Sequence, residues 1–313
     1  MKRFFIGIDG GGTSSRLLAC DVEGNVIGRS IGKSTNIESN PALVVKNNLE
    51  ELVHAFLSTS ACTMNDCLGI CIGTAGVDTK KTLQEMERII GLLSFPCPVH
   101  VTNDAEIALA AQTRGKPGIL LISGTGSIGY AVNEHGQNAR VGGYGYLIGD
   151  EGSSYWLSRK AITAALRGYD GTGGETVLLP MILDALKLQY IEDVLDFVYQ
   201  GNKSDIAALA PLVIKALQEG DLVARGIVED ASRHLAGMAT ALAHKLSMEQ
   251  KPYPLVFAGG LFLNTAMMAD RVYSIVRETY PNLVFTLLEQ EAVAGAVYIA
   301  ARRHNVTMKD ILL

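Results

Sequence analysis

Short hydrophobic segments that end at glycine or polar turns predict an α/β fold for the first third of the chain. Residues 3–9 form an expected strand that ends at three glycines, and Ser15–Asp21 and Val26–Ile31 continue it as an antiparallel meander. A helix opens at Pro41, and the continuous apolar run Leu68–Gly73 predicts a buried parallel strand. The remaining elements complete a βββαβαβα order with a helix near Lys80–Leu93, a strand at Val99–Thr102 and a helix at Asp104–Thr113.

The same pattern begins again after the break at Gly115–Gly118. The segments FIGIDGGGTSSRLLACDVEGNVIG and GILLISGTGSIGYAVNEHGQNARVG both run strand, glycine turn, strand, glycine-containing turn, strand. A repeat at a spacing of about 115 residues is too long for a solenoid and predicts two α/β domains of related fold, 1–117 and 118–313. The second domain opens with three expected strands, Ile119–Ser123, Ile128–Val132 and Ala139–Val141.

A helix-rich insertion follows these three strands. Its apolar residues recur at helical spacing in five segments, Glu151–Leu166, Glu175–Lys187, Ile191–Val198, Asp205–Leu217 and Asp221–Leu246. The second domain is then completed by a strand at Pro254–Ala258, a turn at Gly259-Gly260, a helix at Thr265–Thr279, a strand at Leu283–Leu287 and a helix at Ala292–Arg303.

The composition of the 313 residues is that of an ordinary globular protein, with 48% hydrophobic and 19% charged residues. The net charge of −5 argues against a nucleic-acid partner, because such domains usually carry a basic face. Asp9 interrupts the first apolar run too early for a signal peptide, and no apolar stretch approaches the roughly 18 residues of a membrane span. We therefore expect neither a nucleic-acid nor a membrane partner.

Five cysteines without a regular framework indicate a reducing compartment, so we expect a cytoplasmic protein. Cys67 and Cys71 are the closely spaced pair of interest, and they lie in the predicted buried strand. Four residues apart on a strand, they point the same way but lie roughly 13 Å apart, too far to share a metal ion. We interpret both as structural.

Two motifs imitate nucleotide-binding patterns but lack the context that these require. Gly124–Gly129 spells G-x-G-x-x-G after a strand, yet another strand is predicted where a dinucleotide fingerprint needs a helix. Gly28–Ser34 is one residue short of a P-loop, and a loop follows it where a helix is needed. We interpret the first as a hairpin turn and Lys33 in the second as a solvated charge.

Two glycine turns, Asp9–Thr13 and Ser123–Ser127, follow the first strand of each predicted domain. Glycines let backbone N–H groups approach a phosphate closely, and the Thr13 hydroxyl adds a donor. Asp9 could hold Mg²⁺, directly or through water, near the β- and γ-phosphates. Each turn alone is an ordinary hairpin, but their repetition predicts a nucleotide bound in a cleft between two domains.

Asn103 and Asp104 lie where a predicted strand ends and a helix begins. Capping the helix is the structural interpretation of Asp104. The functional interpretation is a catalytic base that accepts a proton from a sugar hydroxyl, because the carboxyl ends of strands line the ligand crevice of α/β sheets. Beside the two glycine turns, we favour the base.

Five glycines between Gly142 and Gly152 predict a loop. The loop carries two carboxylates, Asp150 and Glu151, beside two tyrosines, a combination suited to sugar hydroxyls and sugar faces. A flexible connector whose acids favour the next helix's N-terminus is the alternative. Ala258–Gly260 would admit a flat ring such as adenine, but it fits a plain strand-to-helix turn equally well.

Together, these motifs resemble those of the N-acetylglucosamine kinases, in the BadF/BadG/BcrA/BcrD group of the actin-like sugar kinase/hsp70 ATPase superfamily. The resemblance extends from residue 3 to about residue 300, and Gly149–Ser153 followed by Tyr155-Trp156 is its most specific element. It implies an α/β fold of two actin-like, ribonuclease H-like domains, each of βββαβαβα order, around a central cleft, with a helical insertion in the second domain.

The resemblance also implies ATP and Mg²⁺ as cofactors and assigns roles to individual residues. ATP is expected at residues of both turns and of the later glycine pair, namely Asp9, Gly11, Gly12, Thr13, Gly124, Thr125, Gly126, Gly259 and Gly260, with Asp9 as the metal ligand. The sugar is expected at Asn36, Thr74, Ala75, Gly76, Asn103, Asp104, Gly143, Tyr144, Gly145 and Asp150.

The implied reaction is transfer of the γ-phosphoryl group of ATP to the 6-hydroxyl of N-acetylglucosamine, N-acetylmuramic acid or both, with Asp104 as base. We also expect a homodimer. One alternative is a glucosamine kinase, and another is an ATPase that activates a radical dehydratase through an iron–sulfur cluster, which would need exposed interface cysteines. A non-catalytic sugar sensor is the third alternative.

Overall fold

The computed structural model of the protein describes residues 3–311, which divide into two compact units. Unit 1 comprises Met1–Gly118 with Leu288–Leu313, and unit 2 comprises Ile119–Leu287. Each unit contains a five-stranded sheet with helices packed against it. The α/β class and the repeated organisation are therefore confirmed, and the chain enters unit 2 one residue after the predicted boundary.

Unit 1 contains the predicted elements in the predicted order. They are β1 Phe4–Gly10, β2 Ser14–Asp21, β3 Val26–Lys33, α1 Ala42–Thr59, a short 3-10 helix at Met64–Asp66, β4 Cys67–Thr74, α2 Lys80–Gly91, β5 Val99–Thr102 and α3 Asp104–Thr113. The sheet has the order β3-β2-β1-β4-β5, antiparallel from β1 to β3 and parallel from β1 through β4 to β5. The parallel strands end at one edge, where α/β sheets bind ligands.

The core of unit 1 follows from the alternation of side chains along β1. Phe4, Ile6 and Ile8 are fully buried in one cluster with the apolar face of α1. The ring of Phe4 meets that of Phe56 edge-on, with 5.9 Å between the centroids. Phe5 points to the opposite face and belongs to a separate cluster. Both faces of the sheet are thus covered.

Unit 2 repeats this plan with an insertion of helices. Its elements are β6 Gly118–Ser123, β7 Ser127–Val132, β8 Asn138–Gly142, α4 Ser154–Tyr169, α5 Leu178–Leu186, α6 Asp193–Gln200, α7 Lys203–Ala207, α8 Ala210–Gln218, α9 Leu222–Lys245, β9 Pro254–Ala258, α10 Gly260–Asn264, α11 Ala266–Thr279 and β10 Val284–Leu287. The sheet order is β10-β9-β6-β7-β8, with β9 parallel to both β6 and β10.

The single helix predicted over Asp205–Leu217 is wrong, because the structure has α7 and α8 in its place. Pro211 lies in the first turn of α8. Proline lacks the backbone N–H that a continuous helix would use, but it is tolerated in a first turn. The apolar spacing runs through both helices and therefore did not reveal the break.

The C-terminal segment differs from the predicted division, which assigned all of 118–313 to the second domain. Leu288–Leu313 groups with unit 1. Its helix, α12 (Ala292–Arg303), is apolar on nearly every side and shares a buried cluster with Phe5 of β1 and Ile107 of α3. An apolar helix pattern predicts burial, but it does not identify the sheet that the helix covers.

Neither Gly124–Gly129 nor Gly28–Ser34 has the secondary structure that a nucleotide-binding motif requires, as predicted. The residues after Gly126 enter β7 directly, without the helix that a dinucleotide fingerprint needs. Gly28–Lys33 lies within β3, so it is not a phosphate loop. Cys67 and Cys71 are buried on β4, as predicted. Among residues 3–311, no helix is long and apolar enough to cross a membrane.

Candidate active site

The carboxyl ends of β1 and β4 are joined by hydrogen bonds to one carbonyl. The Gly10 carbonyl oxygen accepts from Thr74 Oγ1 at 2.9 Å and from the backbone N–H of Ala75 at 2.9 Å. Thr74 is fully buried, so its hydroxyl fixes the edge of the sheet. Two predicted sugar-binding residues thus lie beside the first glycine turn.

Asn36 reaches the same edge of unit 1. A Cβ built on Gly76 would lie 2.6 Å from Asn36 Oδ1, which also accepts a hydrogen bond from the backbone N–H of Glu38 at 2.8 Å. Ser34 Oγ donates to the Gly11 carbonyl at 3.0 Å and so ties this segment to the turn. The structure therefore brings predicted sugar residues and the predicted phosphate turn together within unit 1.

The tip of the first turn is open. The backbone N–H of Gly11 donates to the Ser14 carbonyl at 3.0 Å, which closes the hairpin. No atom lies within 4 Å of a Cβ built on Gly12, and Thr13 is exposed. Backbone and hydroxyl donors at this tip are accessible to a ligand.

Asp9 is a partly buried carboxylate among charged neighbours. Burial raises the pKa of Asp9, the negative charge of Asp104 raises it further, Arg16 opposes the rise and Glu291 adds to it. Glu291 itself lies 3.4 Å from the Arg16 guanidinium. The Asp9 carboxyl is therefore surrounded by more negative than positive charge.

A divalent cation beside Asp9 would relieve this repulsion. Mg²⁺ is usually held by one or two carboxylates with phosphate oxygens and water, so a single aspartate next to a phosphate turn fits the metal. In residues 3–311, no group of three or more His, Cys, Asp or Glu side chains could hold a metal. Asp9 is therefore a residue that could hold Mg²⁺ at this turn.

Asn103, and not Asp104, caps helix α3. Its side-chain oxygen accepts a hydrogen bond from the backbone N–H of Glu106 at 2.8 Å. Asp104 is the first residue of the helix and is exposed at the carboxyl end of β5. The structural interpretation of Asp104 as the cap is therefore wrong, and its nearness to Asp9 places it at the ligand edge of the sheet.

Hydrogen bonds from its two serines connect the second glycine turn to the end of the glycine-rich loop. Ser123 and Ser127 donate their hydroxyls to the carbonyls of residues 152 and 151, at 2.9 and 2.8 Å. The backbone N–H of Ser154 donates to the Gly124 carbonyl at 2.8 Å. The turn and the end of the glycine-rich loop form one hydrogen-bonded assembly within unit 2.

A cavity of about 500 Å³ opens beside this turn. Its walls come from the turn, from α10 and from helices α7 and α8 of the insertion; they include Thr125, Gly260, Ser204, Lys215, Gln218 and Asn264. A cavity of this size, lined by both polar and apolar side chains, can hold a small molecule. The structure therefore brings a predicted phosphate residue and a predicted nucleoside residue to one cavity, and Gly259 directly precedes the second.

Arg140 holds the start of the glycine-rich loop. Its Nε and Nη2 donate to the carbonyls of Gly142 and Gly143 at 3.1 and 2.6 Å. The guanidinium carbon lies 5.5 Å from the ring centroid of Tyr144, which is 67% exposed. Gly143, Tyr144 and Gly145 thus lie on a braced part of the loop with its tyrosine at the surface.

Asp150 ends this loop as a buried carboxylate. It is 4% exposed and has a φ of 60°, and its Oδ2 accepts from Lys203 Nζ at 2.9 Å. A Cβ built on Gly126 would lie 2.7 Å from the same oxygen. The predicted sugar carboxylate and the predicted phosphate turn are thus in contact within unit 2.

Sequence reasoning missed three charged residues of these sites: Arg16, Arg140 and Lys203. Arg16 lies directly opposite Asp9 in the β1–β2 register, and aligning the two arms of the hairpin could have found it. Arg140 lies on β8 just before the glycines that it braces. Lys203 is 53 residues from Asp150, and no local pattern indicates their pairing.

Two α/β units, each with a glycine turn after its first strand, define the actin-like ATPase class of folds. The chain belongs to the BadF/BadG/BcrA/BcrD ATPase family, whose model matches residues 6–300.

Relatives with assigned activities match nearly the whole chain. An N-acetylmuramic acid/N-acetylglucosamine kinase of Clostridium acetobutylicum is 38% identical over 300 residues, covering 95% of this chain and 98% of its own. An N-acetyl-D-glucosamine kinase of Dictyostelium discoideum is 30% identical over 312 residues, covering 96% and 98%. A crystal structure of a candidate N-acetylglucosamine kinase from Chromobacterium violaceum, 24% identical, has a TM-score of 0.69 over 95% of this chain and 98% of its own. That structure has the same fold.

Proposed function

We propose that this protein is an ATP-dependent sugar kinase that phosphorylates the 6-hydroxyl of N-acetylglucosamine, N-acetylmuramic acid or both. The position of Asp104 carries the proposal. It is exposed at the carboxyl end of β5, while Asn103 supplies the cap of α3. A carboxylate that is not needed as a cap, at the ligand edge of a parallel sheet, fits the role of proton acceptor.

In the proposed reaction, the sugar 6-hydroxyl oxygen attacks the γ-phosphorus of ATP. The bond from that phosphorus to the β–γ bridging oxygen breaks, ADP leaves, and the hydroxyl proton passes to the Asp104 carboxylate. Donors of the two turns, including Thr13 and Thr125, would stabilise the negative charge on the phosphoryl oxygens. Mg²⁺ would neutralise charge on the phosphates, with Asp9 as its ligand.

The two substrates are assigned to different groups of residues. The nucleoside would occupy the cavity of about 500 Å³ beside Gly259 and Gly260, with Gly124–Gly126 as donors to the phosphates in unit 2. Gly11–Thr13 is the proposed phosphate turn of unit 1. The residues proposed to contact the sugar are Asn36, Thr74, Ala75, Gly76, Asn103, Asp104, Gly143, Tyr144, Gly145 and Asp150. Polar groups that converge on one ligand fix its orientation for in-line transfer.

The amino-sugar acceptor is supported by the names of the two relatives that match nearly the whole chain. Both act on an N-acetylated amino sugar, and glucosamine is the alternative acceptor. A cytoplasmic location forms part of the proposal, because the five cysteines are all free thiols. The homodimer stays a prediction.

The test is an assay of ADP release coupled to NADH oxidation, with glucose, glucosamine, N-acetylglucosamine and N-acetylmuramic acid in parallel. We expect turnover with one or both N-acetylated sugars, and phosphate on the 6-oxygen by NMR. Omitting Mg²⁺ is the matched control and should abolish turnover. ATP hydrolysis that is independent of every sugar would instead favour an ATPase that drives a protein partner.

A further inference from the structure

Three neighbours surround the ammonium group of Lys203. Asp150 Oδ2 accepts its hydrogen bond at 2.9 Å, and the ring centroid of Tyr146 lies 5.5 Å from Nζ. A Cβ built on Gly126 would lie 3.3 Å from the same nitrogen. Lys203 thus contacts the glycine-rich loop and the second glycine turn together.

The Asp150 carboxylate depends on this partner. It is 4% exposed, and a buried ionised group is strongly disfavoured when it lacks a charged or hydrogen-bonding partner. Its φ of 60° is a left-handed conformation that residues other than glycine seldom adopt, so the surroundings must hold the backbone as well. The direction of this carboxylate is therefore set by its contacts.

Lys203 also directly precedes a residue that lines the cavity beside the turn. It is the first residue of α7, whose start is fixed by Asn202, since the Asn202 side chain accepts from the backbone N–H of Asp205 at 3.0 Å. The next residue, Ser204, lines the cavity of about 500 Å³. One short helix start thus carries both the partner of Asp150 and part of the proposed nucleoside site.

We propose that Lys203 is a positioning residue for the kinase reaction, whose ammonium group holds the Asp150 carboxylate in its sugar-binding orientation against the Gly124–Gly126 turn. The inference rests on the proposed function, because it assigns the effect of Lys203 to sugar binding. Loss of the ammonium group leaves Asp150 without its partner, and the carboxylate then turns toward water and away from the sugar.

The test compares Lys203→Met, Lys203→Arg and Lys251→Met in steady-state kinetics with both substrates varied. We expect Lys203→Met to raise the KM for the amino sugar by about 10- to 150-fold, the range for losing a hydrogen bond to a charged group, and to change the KM for ATP by less than about 3-fold. Lys203→Arg keeps the charge and should restore the sugar KM to within about 10-fold of the unaltered value.

Lys251→Met is the matched control. Lys251 pairs with Glu134 at 2.7 Å in the same unit, but both side chains are exposed, so breaking that pair should leave both KM values unchanged. If Lys203→Met does not fold, Lys203→Gln keeps a hydrogen-bond donor without the charge and should show a smaller rise in the sugar KM.

Two results would count against different proposals. A sugar KM that stays at the unaltered value in the folded Lys203 variants, with only kcat reduced, overturns the positioning role and leaves a structural one. Absence of turnover with every sugar in the unaltered protein overturns the proposed function itself.

Discussion

The side-chain oxygen of Asn103 accepts a hydrogen bond from the backbone N–H of Glu106. Because this bond caps α3, the neighbouring Asp104 is not the capping residue. Because Asn103 satisfies the first turn of α3, the Asp104 carboxylate can be changed without removing the cap. The role of Asp104 can therefore be tested without disturbing the cap of α3.

Asp104→Asn should lower kcat by about 10²- to 10⁴-fold, the usual contribution of a general base. Sugar affinity, measured by calorimetry, should change little, because the amide keeps the size and much of the hydrogen bonding of the carboxylate. Asn103→Ala is the companion variant and should lower the free energy of unfolding by about 1 kcal/mol through loss of the cap. Near-normal turnover in Asp104→Asn would remove Asp104 from the role of base.

Asp9→Asn should raise the melting temperature at pH 7 while lowering kcat by about 10²- to 10³-fold, the range for a lost electrostatic stabiliser. The folded state raises the pKa of Asp9, mainly through burial and then through Asp104. The free energy of unfolding therefore falls as the pH rises from the usual pKa of an aspartate to the raised one. The neutral amide avoids this loss.

The stability gain of Asp9→Asn should shrink as the pH falls through the same interval, because the carboxyl then becomes neutral in the unaltered protein too. Thermal melts across this pH range measure the difference. A variant that is less stable than the unaltered protein at pH 7 contradicts the electrostatic account.

Gly126→Ala should weaken the second turn. The new methyl group would lie 2.7 Å from Asp150 Oδ2, so the carboxylate must shift, at a cost of about 1–3 kcal/mol in the free energy of unfolding. Chemical denaturation measures this loss. Gly237→Ala is the control, since no atom lies within 4 Å of that position on α9 and alanine should stabilise the helix by about 1 kcal/mol. Equal effects of the two substitutions would show that the contact with Asp150 is unimportant.

His100 should make the protein sensitive to mild acid. Burial lowers the pKa of His100 to about 4, Arg303 lowers it too, and Glu106 opposes them. His100 in the unfolded chain therefore binds a proton near pH 6.5, whereas in the folded chain it stays neutral until the pH approaches 4. The contribution of His100 to the free energy of unfolding is therefore fully present above pH 6.5 and is lost as the pH falls toward 4. His100→Gln should reduce this loss in melts between pH 7 and 4.

The exposed His54→Gln on α1 is the control for His100→Gln and should melt as the unaltered protein does at each pH. An unchanged acid sensitivity of His100→Gln would mean that other groups dominate this pH range.

Most of the fold could be predicted from the chain, because the central strands, such as β1, β4 and β9, are short apolar runs bounded by turn signals. Val99–Thr102, Asp104–Thr113 and Ala292–Arg303 have the predicted bounds. The packing partner of the last helix could not be predicted, because burial on all sides carries no information about which sheet is covered.

The candidate site was predictable where a residue acts through its local position. Asp9 and Asp104 follow strand ends, and the glycine turns repeat at matching places. The pairing of Lys203 with Asp150 depends on how an inserted helix folds back over a loop, and such tertiary contacts leave no periodic signal. The structure excludes Asp104 as the cap of α3, because Asn103 makes that bond, while the role of Asp104 as base stays a prediction.

The place of α12 in unit 1 has a consequence for the order in which the protein is completed during synthesis. Unit 2 is one continuous stretch, Ile119–Leu287, whereas unit 1 needs Leu288–Leu313 to cover one face of its sheet. Domains fold as their residues leave the ribosome. Unit 2 can therefore finish folding while the sheet of unit 1 still lacks α12, which follows unit 2 in the chain.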